Sequence, residues 1–358
     1  MSIPDNQRTY GMPQLSSEDQ IASKPDSTVQ PQTSDPSASV TQLSGTARIF
    51  ADIRAEIAKA VVGQHHAVTA VLIGLLTDGH ILLEGVPGTA KTLLVRSLAA
   101  AMAADFKRVQ FTPDLMPGDL TGSLIYSNSN GEFTFRPGPV FTNILLADEV
   151  NRTPPKTQAA LLEAMAEHQV SVDGEAKRLP DPFLVVATQN PIEYEGTYAL
   201  PEAQLDRFLM KIKLPLPPRE VELEMLHKHA NNFDPSHLET AGITQVAHAD
   251  DVRQAREEVK NVTVHPAILE YIVELVHATR ANPAIQVAVS PRGATALLAV
   301  ARAWAWLNGR TYVTPDDVKA LAIPALAHRM QLQPEAELDG LTSEQVLSTI
   351  LSSVPAPR

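Results

Sequence analysis

The run Glu84-Gly-Val-Pro-Gly-Thr-Ala-Lys-Thr92 constrains this chain of 358 residues more than any other feature. It follows an apolar stretch at 80–83 that reads as a strand, and it precedes a helix-forming stretch at 93–102. A glycine-rich turn between strand and helix, ending in Lys-Thr, is built to hold a polyphosphate. Its backbone N–H groups face inward around anionic oxygens, and the helix N-terminus adds the positive end of its dipole. Lys91 would reach the β- and γ-phosphates, and the Thr92 hydroxyl would sit on Mg²⁺. The strict pattern carries glycine before the lysine, where this chain has Ala90. A methyl group is the smallest intrusion and fits there if the local φ is negative. A nucleotide, a metal and phosphoryl transfer are implied together.

The remaining composition narrows the class. With 44% hydrophobic and 20% charged residues the chain can bury two or three cores. No apolar run reaches the length of a membrane span. The N-terminal residues show no basic region followed by an apolar core, so no secretory leader is expected. Cysteine is absent, which removes disulfides and thiolate zinc sites and suits a cytoplasmic location. A net charge of −12 repels nucleic acid in bulk, although a local basic stripe would still bind it.

Residues 1–45 are rich in Ser, Pro, Gln, Thr and Asp and are expected to form a disordered tail. From Thr46 the texture changes. Phe50, Ile53, Ile57 and Val61 recur at helical spacing, and a second helix is expected at 68–76. Further apolar strands are expected at 107–111, 143–147, 183–188 and 208–214, with helical patterns between several of them, as at 156–167. Near-continuous apolar strands alternating with helices predict an α/β domain, a parallel sheet covered on both faces. Two hairpins interrupt it, one around Asn130-Gly131 and one around Asp173-Gly174. They read either as surface decorations or as moving elements that grip a partner. After Pro217 the strands stop, and helices at 219–230, 265–282, 291–308, 315–330 and 343–353 predict an all-helical second domain. Thr314-Pro315 carries the signature of a helix start.

The chemistry-bearing residues follow in order. Ile144-Leu-Leu-Ala-Asp-Glu149 is a buried strand ending in two carboxylates. Asp148 would hold the metal through its water shell together with Thr92, and Glu149 would polarise an attacking water. Asn190, at the end of the next strand, would touch the γ-phosphate or orient that water. Arg207, in Leu205-Asp-Arg-Phe208, is either a surface ion-pair partner of Glu202 or Asp206, or a finger reaching a neighbouring subunit's nucleotide. Arg292, in Ser290-Pro-Arg-Gly293, places a cation at the positive end of a helix, which suggests an anion such as the γ-phosphate nearby. Arg152 would contact the same site or a neighbouring subunit. His65, His66 and His80 read as packing or surface residues.

In combination these motifs resemble those of AAA+ ATPases of the MoxR family. The resemblance rests on Gly85-Val-Pro-Gly-Thr-Ala-Lys-Thr92, Leu146-Ala-Asp-Glu-Val-Asn-Arg152 with Thr153-Pro-Pro-Lys-Thr-Gln158, Ala187-Thr-Gln-Asn-Pro191, Pro201-Glu-Ala-Gln-Leu-Asp-Arg-Phe208 and Ser290-Pro-Arg-Gly293. Alanine before the lysine is usual in that family. The resemblance implies a five-stranded sheet of order 5-1-4-3-2 with helices on both faces in residues 46–217, and a helical lid in 218–358. Gly85, Val86, Pro87, Gly88, Thr89, Ala90, Lys91, Thr92 and Leu93 would cradle ATP, with Val62, Gly63 and Gln64 near the adenine. Asn190 would be sensor 1, Arg207 the arginine finger and Arg292 sensor 2. The two hairpins would be the helix-2 and pre-sensor-1 inserts shared with magnesium chelatase and MCM motors. A ring, commonly a hexamer, is implied, hydrolysing ATP with Mg²⁺ to remodel client proteins, often with partners carrying a von Willebrand factor A domain. A nucleic-acid motor and an ATP-stabilised scaffold are the rival readings.

Overall fold

The computed structural model describes residues 44–127, 131–191 and 198–357. Residues 1–43 of the expected tail and Asn130 of the first expected turn lie outside the described residues.

The lead-in helix α1 (Gly45–Ala60) starts where the Ser44 hydroxyl accepts from the Ala47 N–H, and it buries Phe50, Ile53 and Ile57. Helix α2 (His65–Thr77) is apolar nearly all round, and the fold buries it accordingly. The chain then runs through β1 (Ile81–Gly85), α3 (Lys91–Ala101), β2 (Phe106–Gln110), α4 (Pro117–Thr121), β3 (Gly122–Ser127), β4 (Glu132–Pro137), β5 (Ile144–Asp148), α5 (Pro155–Glu167), β6 (Gln169–Val172), β7 (Glu175–Arg178), β8 (Leu184–Gln189), α6 (Glu202–Leu205) and β9 (Met210–Leu214).

Five of these strands form one parallel sheet in the order β2-β5-β8-β1-β9. Numbered along the chain and read from the other edge, that is 5-1-4-3-2. Alternate residues face opposite layers. Leu83, Leu146 and Val186 join the core shared with α1, α2 and α3, whereas Leu82, Leu145 and Val185 join the core under α5. Because the strands are parallel, the ends of β1, β5 and β8 open on one edge, where α/β sheets bind ligands. Strand β2 departs from the apolar expectation. Its Lys107, Arg108 and Gln110 are exposed, as an edge strand paired only with β5 allows.

Both hairpins form. In β3–β4, Tyr126 lies opposite Phe133 with ring centroids 5.3 Å apart, and both rings are exposed. In β6–β7, Asp173 and Gly174 both have positive φ, as a tight two-residue hairpin turn requires.

The C-terminal part comprises α7 (Arg219–Ala230), α8 (Ala249–Lys260), α9 (Pro266–Ala281), β10 (Ile285–Val287), α10 (Pro291–Leu307), α11 (Pro315–Leu326), β11 (Gln331–Leu332), α12 (Pro334–Leu338) and α13 (Ser343–Ser353). The expected cap holds: Asp317 N–H donates to Thr314 Oγ1, and the Asp317 carboxylate accepts back from the Thr314 N–H. Three expectations need correction. Strands do not stop at Pro217, since β10 and β11 form a short antiparallel pair. Helix α8 had no counterpart in the pattern, because only Val252, Ala255 and Val259 are buried along a strongly charged helix. The helix expected over 315–330 gives way after Leu326 to a 3-10 turn, Ala327–Arg329, whose side chains turn back onto the backbone before β9.

Candidate nucleotide-binding site

The turn after β1 is a left-handed bend closed by a helix start. Gly88 has φ +84°, and Ala90 has φ 58° and ψ 21°. The condition set for an easy fit of Ala90, a negative φ, is therefore not met: the alanine occupies the left-handed conformation that the pattern's glycine would adopt without strain. Holding an L-residue there costs roughly 1–2 kcal/mol. The Lys91 ammonium curls into the turn, donating to the Gly85 carbonyl at 2.7 Å and the Val86 carbonyl at 2.8 Å. Burial lowers its pKa, and the carboxylates of Asp148 and Glu149 work in the opposite direction.

Asp148 ends the fully buried strand β5. One carboxylate oxygen accepts from Arg108 Nη2 at 2.7 Å and Nε at 3.1 Å; the other accepts from the Thr188 hydroxyl at 2.5 Å. Thr188 in turn accepts from the Glu149 N–H at 2.9 Å. One β8 side chain thus sets both acids. Glu149 has φ 58°, a sparsely populated conformation for a residue with a side chain. Its Oε2 accepts from Gln110 Nε2 at 2.6 Å and from Arg152 Nη1 at 3.0 Å.

These groups line a cavity of about 540 Å³, the size of a small-molecule site. Val62, Gln64, Gly85, Pro87, Gly88, Thr89, Ala90, Lys91, Thr92, Leu93, Asp148, Glu149 and Asn190 all line it. Val86 contributes its carbonyl to Lys91 from behind. Gly63 also stands behind the wall. It has φ +73°, and a Cβ there would lie 2.7 Å from a Val221 methyl, so only glycine lets α7 pack so close.

The structure adds residues that motif reading missed. Arg108, Gln110, Thr188 and Gln189 complete the floor, and Met225, Lys228, His229, Phe233, Pro235 and Ser236 form a wall from α7 and the turn after it. That wall is tied down. Lys228 Nζ donates to the Ala58 and Lys59 carbonyls at 3.0 and 2.8 Å, and Arg96 donates to the Pro235 and Ser236 carbonyls at 3.2 and 3.1 Å.

Arg207 and Arg292 are not among the residues lining this cavity. Arg207 Nη1 donates to the Leu162 carbonyl at 2.9 Å, an alternative to the ion pair with Glu202 or Asp206. Arg292 is exposed in the first turn of α10, which Ser290 caps. His65 and His66 are exposed at the start of α2, and His80 is buried in backbone hydrogen bonds. No cluster of three or more His, Cys, Asp or Glu suited to a metal occurs among the described residues. Thr92 and Asp148 nevertheless offer oxygen donors to one cavity, which suits Mg²⁺. That ion takes one or two protein groups and completes its shell with phosphate and water.

Two family models match the chain: the ATPase family associated with various cellular activities (AAA) at residues 80–210, and the AAA lid domain at residues 277–350. Protein YeaC of Bacillus subtilis is 50% identical, over 84% of this chain and 92% of its own length. Chaperone MoxR1 of Mycobacterium tuberculosis is 42% identical, over 85% and 81%. A crystal structure of a Cytophaga hutchinsonii protein provisionally described as an ATPase superposes with a TM-score of 0.80 at 45% identity, covering 87% of this chain and 96% of that one. The cavity, the sheet order and these likenesses define a nucleotide-hydrolysing P-loop protein. The chain belongs to the AAA+ ATPases and has the MoxR family as its near relatives.

Proposed function

We propose that this chain is an Mg²⁺-dependent ATPase that works as a ring, commonly a hexamer, and remodels a client protein. Residues 46–217 are the motor core and 218–358 the lid. ATP lies in the cavity, its triphosphate wrapped by residues 85–92 with Lys91 on the β- and γ-phosphates and its adenine near Val62 and Gln64. When bound, Mg²⁺ is held by Thr92 and Asp148 and neutralises phosphate charge. Glu149 takes the proton of the attacking water, and Asn190 orients that water. Arg207 reaches the cavity of an adjoining chain, and Arg292 swings to the γ-phosphate when the lid closes. The exposed Tyr126–Phe133 hairpin is the grip on the client, and a von Willebrand factor A domain is the partner chemistry suggested by the MoxR resemblance.

The observation that carries this reading is the division of the site. Lys91, Thr92, Asp148, Glu149 and Asn190 converge on one cavity, while Arg207 stands outside it. Among the described residues no helix is long and apolar enough to cross a membrane. The direct test is Glu149→Gln. It should retain bound ATP with turnover abolished and should hold a client through affinity capture in ATP. Turnover at the normal rate would remove Glu149 from the mechanism.

A further inference from the structure

Arg329 is the most deeply buried guanidinium tied to the segment that carries Arg207. It belongs to the 3-10 turn after α11, and its side chain is 3% exposed. Its Nε donates to Asp206 Oδ1 at 2.7 Å. Its Nη2 donates to the Phe208 and Asp206 carbonyls at 2.7 and 3.3 Å, and its Nη1 donates to the Leu209 carbonyl at 3.1 Å and to the Ala325 carbonyl. The neighbouring His328 Nε2 also lies 3.1 Å from the Phe208 carbonyl. Residues 206–209, which carry Arg207 into β9, are therefore clamped from the lid by one planar fork.

A second contact reaches the same carboxylate. Ser290 Oγ lies 3.4 Å from Asp206 Oδ2, and Ser290 is the N-cap of α10, the helix that bears Arg292. A Cβ on Gly293 would come within 3.1 Å of Arg329 Cδ, so the first turn of α10 rests on the Arg329 stem. Burial lowers the pKa of Arg329, Asp206 offsets this, and the charge of Arg292 adds to the lowering. Backbone carbonyls hold the guanidinium as well, but Asp206 is its ion-pair partner, and removing one side of a buried ion pair leaves the other charge uncompensated.

We infer that the Arg329–Asp206 pair positions Arg207, linking the turn that carries Arg292 to the guanidinium offered to the adjoining chain. Arg329 and Asp206 touch no nucleotide and act through Arg207; they are positioning residues. A lid movement that shifts the first turn of α10 shifts Asp206, and residue 207 moves with it. This inference rests on the reading that Arg207 acts on a neighbouring chain.

The test is subunit mixing. Asp206→Asn alone should lose about 10²-fold in kcat, the cost of a displacement near 1 Å at a catalytic group, with KM for ATP unchanged. Its own cavity keeps Lys91, Thr92, Asp148, Glu149 and Asn190, and Asp206 is not among the residues lining it. Mixed with Glu149→Gln, whose cavity is dead but whose Arg207 is properly held, it should recover turnover per competent cavity. A merely destabilised protein would not recover. Arg329→Lys keeps the charge and loses the fork, and it should behave the same way if Asp206→Asn does not fold. Arg207→Ala mixed with Glu149→Gln is the reference. Recovery there without recovery for Asp206→Asn or Arg329→Lys overturns the inference and leaves the shared-site reading standing. Wild-type kcat in both variants overturns it as well. No recovery for Arg207→Ala removes the shared-site reading, and the inference falls with it.

Discussion

Gln110 Nε2 donates a 2.6 Å hydrogen bond to Glu149 Oε2, from the end of the edge strand β2 to the residue that follows β5. Parallel pairing fixes this meeting, because Gln110 is in register with Asp148. Arg152 shares the same oxygen. The proposed base is thus held in one rotamer by two donors.

Removing one of those donors should free the carboxylate. A hydrogen bond to a charged group is worth about 1.5–3 kcal/mol, and releasing about 1.4 kcal/mol of restraint corresponds to roughly tenfold in rate. Gln110→Ala is expected to raise basal ATP turnover by up to about tenfold with KM unchanged. Steady-state kinetics checks this. A fall in kcat would show that Gln110 supports the reaction instead of restraining Glu149.

The left-handed Ala90 yields a stability prediction. Glycine relieves the strain of about 1–2 kcal/mol, while its freer unfolded chain gives back about 0.5–1 kcal/mol. Ala90→Gly should therefore leave the thermal midpoint unchanged or raise it, where the same change in an ordinary helix interior lowers it. Calorimetry decides: a loss of about 1 kcal/mol or more would contradict the strained turn.

His80 is expected to make the fold acid-sensitive. Its Nδ1 accepts from the Val185 N–H at 3.1 Å, and its Nε2 faces the Met165 carbonyl at 3.0 Å, so the buried ring is built to stay neutral. Burial pushes its pKa down from 6.5 to about 4. The unfolded state binds the proton first, so this contribution is complete above pH 6.5. It is lost as pH falls toward about 4, amounting to about 3 kcal/mol. Melting temperature should drop across that window, and His80→Gln should flatten the drop. A wild-type profile that stays level from pH 6.5 to 4.5 would exclude this role.

The contrast between Asp148 and Arg108 explains what sequence reading reaches. Asp148 and Glu149 end a contiguous apolar strand behind a phosphate turn, and local pattern is enough to find them. Arg108 meets Asp148 only through the register of β2 on β5, and nothing within its own strand marks it. The sheet order likewise entered through family resemblance, since the residues themselves indicate parallel strands but not their neighbours. The wall from α7 escaped because no residue of that helix is buried, leaving no amphipathic stripe to connect it to the cavity. The positive φ of Ala90 is set by closure of the turn onto α3, which a one-dimensional motif does not encode.

The central claim is a cavity completed by a second chain. ATP turnover per chain, measured through a dilution series with particle mass determined at each concentration, tests it most directly. Turnover should fall as the assembly dissociates, and Arg207→Ala should lose about 10³–10⁵ in rate while still binding ATP. A strictly monomeric sample that hydrolyses ATP at full rate, indifferent to dilution and to loss of Arg207, would contradict it.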